Sequence, residues 1–85
     1  MTLQELLDKA CGSYELTIFS DTMNYVCRNE KIVDDVDQPK VDYRKHVPEW
    51  DAVKNCRVRC FILGEDLNHD GPEMRVGIDD YKEDR

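Results

Sequence analysis

The sequence predicts a small single α+β domain, with a mainly antiparallel sheet of about four strands, an N-terminal helix and a second short helix. Three observations predict it. Leu3, Leu6, Leu7 and Ala10 recur at helical spacing near the start. Segments 14–28 and 55–79 each hold a pair of alternating apolar runs separated by turn residues, the pattern of a hairpin. The chain has 85 residues, which supports one core of limited size and hence one domain over 1–85.

The first helix is expected over Thr2 to Ala10, with its four apolar residues on one stripe. Thr2 suits the N-cap, and Glu5 stands three residues later, the spacing of a capping box. Gly12 is placed to end the helix in a left-handed conformation. So short a helix is marginal alone and must lay its stripe on the sheet. The first strand covers Tyr14 to Ser20, with Tyr14, Leu16 and Ile18 alternating with Glu15, Thr17 and Phe19. Ser20, Asp21 and Thr22 supply a turn. The second strand is expected from about Asn24 to Arg28, with Tyr25 and Cys27 on one face and Val26 on the other.

Residues 29–46 read as a long acidic connection carrying Asp34, Asp35, Asp37 and Asp42, with Pro39 breaking regular structure. The dispersed Ile32, Val33, Val36, Val41 and Tyr43 give it partial order. A connection of this length is often functional, although acids that simply face water are the plainer reading. Val47 to Lys54 is the expected second helix. Pro48 suits its first turn, Glu49 and Asp51 suit the positive end of its dipole, and Val47, Trp50 and Val53 share a side. Trp50 reads as a core anchor, with a partner-binding anchor as the alternative. The third strand is expected from about Cys56 to Leu63, with Cys56, Val58, Cys60 and Ile62 inward and Arg57, Arg59, Phe61 and Leu63 on the other face. The fourth runs from about Met74 to Asp79, with Met74, Val76 and Ile78 inward. Residues 80–85 form a charged, frayed tail.

Several function classes lack their signatures. No stretch approaches the roughly 20 apolar residues of a membrane span. The N-terminus carries acids where a signal peptide carries basic residues, so a cytoplasmic location is expected. Cys11, Cys27, Cys56 and Cys60 are therefore read as free thiols. Cys56 and Cys60 lie roughly 13 Å apart on an extended strand and cannot join each other, though either can face Cys27 or Cys11. No Cys-x-x-Cys occurs, and His46 and His69 stand alone, so no zinc site or other cofactor is expected. Gly-x-Ser-x-Gly, a phosphate-binding glycine loop and His-Glu-x-x-His are all absent, so the chain is not expected to be an enzyme.

One local pattern carries possible chemistry. Asp66-x-Asn68-x-Asp70-Gly71 resembles the opening of an EF-hand calcium loop, with oxygen ligands at alternate positions and glycine at the sharp turn. The likeness then breaks: Gly77 stands where the closing bidentate Glu belongs, and strands flank the loop instead of helices. A plain connecting loop is the favoured reading. A calcium-responsive module using Asp66, Asn68 and Asp70 is an alternative.

Charge bounds the partner. Nineteen Asp and Glu against twelve Lys and Arg give a net charge of −7, which argues against direct binding of nucleic acid. The acids fall in three groups, at 34–42, 65–73 and 79–84. Brought together, they would form a negative face able to occupy a basic nucleic-acid-binding surface on another protein. Small acidic inhibitors of phages and mobile elements, anti-CRISPR and anti-restriction proteins among them, are similar in size and charge, with no shared residue motif. The leading expectation is thus a non-enzymatic protein-binding module, an inhibitor acting by charge mimicry of DNA. Asp34, Asp35, Asp37 and Asp42 would be its first contacts and Asp66 and Asp70 its second. A structural or assembly subunit, joined by strand addition at a sheet edge, is the remaining class.

Overall fold

The computed structural model of the chain describes residues 1–10, 12–33, 41–65 and 71–81. Helix α1 (Leu3–Lys9) starts with the capping box that its sequence encodes. Glu5 N–H donates to Thr2 Oγ1 at 3.2 Å, and Thr2 N–H donates to Glu5 Oε1 at 3.3 Å. The Thr2 N–H bond, joined by one from the Thr2 hydroxyl to Glu5 Oε1 at 3.1 Å, holds the Glu5 carboxyl below its ordinary pKa. Two further amides of the first turn are satisfied from outside the helix. Leu3 N–H donates to Cys56 O and Gln4 N–H to Lys54 O, each at 2.9 Å. Ala10, in extended conformation, caps the other end. Gly12 does take a left-handed φ of +88°, but it lies beyond that cap and does not close the helix.

Strands β1 (Tyr14–Phe19) and β2 (Tyr25–Ile32) form the first antiparallel hairpin. Ser20 N–H donates to Asn24 O and Met23 N–H to Ser20 O, both at 2.9 Å, which closes the turn. β2 continues four residues past the expected Arg28 boundary, so residues 29–32 belong to the sheet and not to the connection. Two register shifts interrupt its alternation. They put Tyr25 in solvent and Cys27 in the core, although both were expected on one face. They also let Cys27 and Ile32, which differ in parity, both point inward. Asn29 sits at one shift with φ +52°, a conformation Asn tolerates better than most residues, and its N–H donates to Thr17 Oγ1 at 3.0 Å.

A 3-10 turn (Tyr43–Lys45) and helix α2 (Trp50–Val53) follow. α2 is shorter than expected because Glu49 is left-handed at φ +55°, which prevents a helix from running through Pro48. The expected apolar side is nonetheless buried: Val47, Trp50 and Val53 all enter the core. The Trp50 ring lies 5.2 Å from that of Tyr43. The Tyr43 hydroxyl is 2.8 Å from the Tyr14 hydroxyl and donates to Leu7 O, tying α1, β1 and the 3-10 turn together.

Strands β3 (Val58–Glu65) and β4 (Pro72–Ile78) form the second antiparallel hairpin. The two hairpins join through a parallel pairing of β1 with β4, giving the order β2-β1-β4-β3. The sheet is therefore mixed but mostly antiparallel. Leu16, Ile18, Met74, Val76 and Ile78 form its buried face and cluster with Leu3, Leu6 and Leu7 of α1. No helix among the described residues is long and apolar enough to cross a membrane.

Candidate interaction surface

β3 closes one end of the sheet, and its outer side is divided into two parts. The first part is occupied. Val58 N–H donates to Met1 O at 2.9 Å, and Thr2 bridges Arg57 in antiparallel fashion. Beyond Val58 this contact ends, and β3 continues to Glu65 paired only with β4 among the described residues.

A register shift between Val58 and Cys60 reverses the phase of everything that follows. Val58 pairs with Ile78 and keeps the core face. Cys60 then pairs with Gly77 and Ile62 with Arg75, which places both on the opposite face. The expected inward positions of Cys60 and Ile62 are thereby corrected, and both residues are exposed. Gly77 fixes Cys60 on that face: a Cβ there would stand 3.0 Å from Cys60 Sγ and 3.0 Å from the Phe19 ring. Phe61 and Leu63 pair with Val76 and Met74 and so share the core face.

Sharing that face does not bury them. Phe61 is 48% exposed, Ile62 64% and Leu63 65%. They are three successive apolar residues on an edge strand, with no charged side chain between Arg59 and Glu65. Beside Leu63 lies an open groove of about 320 Å³, lined by Ala10, Tyr14, Gly64, Pro72 and Met74 together with Glu73. The sequence carries a signal for this surface that alternation obscures. An uninterrupted Phe-Ile-Leu run puts apolar groups on both faces of a strand, and an edge strand covers neither fully.

The other thiols behave as core. Cys27 is buried, its thiol donates weakly to Leu16 O at 3.9 Å, and burial pushes its pKa up to about 11. Burial, and secondarily the charge of Asp80, raises Cys56. Both groups are thus poorly disposed to act as nucleophiles. His46 Nδ1 lies 3.0 Å from Glu30 Oε1, a hydrogen-bonding contact that joins the segment before α2 to β2.

Of the acidic residues singled out by charge, Asp42 is described. Its carboxylate accepts from Arg44 N–H at 3.1 Å and caps the 3-10 turn from an exposed position. Asp34, Asp35, Asp37, Asp66, Asn68 and Asp70 lie outside the described residues, as do Cys11, His69 and Pro39. Among the described residues, no three His, Cys, Asp or Glu side chains gather as a metal site would require. The chain matches no protein-family model, no curated protein and no solved structure.

Proposed function

We propose that the protein is a non-enzymatic protein-binding module that engages its partner through the open edge of β3. One observation carries the reading: Phe61, Ile62 and Leu63 are solvent-exposed on a strand whose outer side is unoccupied beyond Val58 among the described residues. Contiguous apolar surface of this kind marks interaction sites, and an open strand edge accepts a further strand through main-chain hydrogen bonds. The test compares proteins captured by the wild type with those captured by Ile62→Lys. Loss of the captured set supports the reading, and an unchanged set refutes it.

A second reading is favoured by the net charge of −7. Here the module is an inhibitor that occupies a basic nucleic-acid-binding surface through Asp34, Asp35, Asp37 and Asp42, in the manner of anti-CRISPR or anti-restriction proteins. Binding to a basic nucleic-acid enzyme would then fall steeply with salt. Neutralising Asp34, Asp35 and Asp37 should abolish it, and unchanged binding would dismiss the electrostatic reading.

A further inference from the structure

We propose that Asp80 and Tyr81 form a latch across the start of α2, and that its release frees Trp50 and Cys56 while the sheet stays folded. The strap leaves the sheet where Asp79 N–H donates to Arg57 O at 2.8 Å. Asp80 then turns the chain with φ +65°, and the Tyr81 hydroxyl donates to Glu49 Oε2 at 2.8 Å. The Tyr81 side chain is half-buried and packs against the core. Glu49 is the residue on which α2 starts. Its carbonyl accepts from Ala52 N–H at 2.8 Å and from Val53 N–H at 3.1 Å. Its side chain makes no cap bond to the helix and engages Tyr81 instead.

The latch joins two strained positions. Glu49 at φ +55° and Asp80 at φ +65° both hold left-handed backbone, which is costly for a residue with a Cβ. Such strain persists only where neighbouring contacts impose it, and it is typical of segments that switch. Breaking the Tyr81–Glu49 bond lets both residues relax. The bond is also exposed, so water replaces it at little loss. Closed and open forms therefore lie closer in free energy than the folded and unfolded chain.

Two buried groups lie behind the latch. Trp50, the first residue of α2, is 9% exposed. Cys56 is buried, with its thiol donating to Ala52 O at 3.6 Å. Beyond burial itself, the charge of Asp80 acts on that thiol, which places the strap beside it. The two readings of Trp50, core anchor and partner-binding anchor, then belong to the closed and the open form in turn.

Hydrogen exchange and thiol labelling of the full chain under native conditions test the latch, each rate being divided by its value in the unfolded chain. One group of probes is the Ala52 and Val53 amides, the Trp50 indole N–H and Cys56 towards N-ethylmaleimide. The other is the Val76 amide in β4 and Cys27 in β2. In wild type the first group should open about tenfold or more faster than the second. Tyr81→Phe should speed the first group about three- to tenfold and leave the second unchanged. Glu49→Gln, whose amide oxygen still accepts from Tyr81, should fall between wild type and Tyr81→Phe. Equal rates for the two groups in wild type overturn the latch, because α2 then opens only when the whole chain unfolds. A Tyr81→Phe effect that is absent, or equal in both groups, overturns it as well, since the bond then contributes nothing or contributes to global stability alone.

Discussion

The two edges of the sheet differ in charge, regularity and exposure. β2 carries Arg28, Glu30 and Lys31, contains two register shifts, and holds Asn29 in a left-handed conformation. Arg28 sits 4.9 Å over the Tyr25 ring, and Glu30 is engaged by His46. Charge and irregularity of this kind keep an edge from pairing with another chain. β3 shows the reverse beyond its one early bulge: six successive pairs from Cys60 to Glu65 without a shift, and three exposed apolar residues at the centre. Among the described residues, the same sheet thus has one guarded edge and one that is open beyond Val58. The proposed interaction surface is thus the edge on which the standard protections of charge and irregularity are missing.

The comparison makes quantitative demands. The largest effect falls on the guarded edge, where Ile32 is fully buried. Ile32→Ala should lower unfolding free energy by about 2–5 kcal/mol in urea titration. The join between the open edge and the core comes next. Gly77→Ala forces a methyl against Cys60 Sγ and Phe19, at a cost of about 1–3 kcal/mol, and Cys60→Ala should recover part of it. Asn29→Ala should cost about 1 kcal/mol through its left-handed backbone, with Asn29→Gly close to neutral. Ile62→Lys should stay within about 0.5 kcal/mol of wild type in monomer stability, because its site is exposed. A large loss at Ile62 with none at Ile32 would invert the two edges.

The thiols sharpen the contrast kinetically. Cys60 on the open strand should react with an aromatic disulfide reagent at once, while Cys27 should react only as the protein unfolds. The pH dependence follows from the raised pKa of Cys27. Between the ordinary thiol value of 9.0 and about 11, the unfolded chain has released a proton that the folded chain retains. Its contribution to stability is therefore complete below pH 9 and is lost as pH rises towards about 11. Melting temperature in Cys27→Ala should decline less over that window than in wild type.

Features governed by local chemistry were legible in the sequence. Thr2 and Glu5 announce their capping box, and the alternation of Leu16 with Ile18 and of Met74 with Val76 and Ile78 marks the buried face. The shared helical side of Val47, Trp50 and Val53 marks their burial in the core in the same way. Features governed by distant chain were not. The period of two that predicts strand faces assumes an unbroken ladder, so the shift after Val58 exchanged the predicted faces of Cys60, Phe61, Ile62 and Leu63. The parallel contact of β1 with β4 joins segments some sixty residues apart and leaves no local mark (Leu16 pairs with Met74). Of the candidate surface, the Phe61-Ile62-Leu63 run was visible as composition, but that it lies on an edge depends on strand order.

The pairing of Met1 and Thr2 with Val58 and Arg57 has a practical corollary for handling the protein. The two segments run antiparallel, so anything fused ahead of Met1 is aimed along the outer side of Arg59, Cys60 and Phe61. An affinity tag placed there would act as a tethered competitor, adding a strand in cis at a high effective concentration. It would cover the exposed Phe61-Ile62-Leu63 run, and its proteolytic removal would expose that run again.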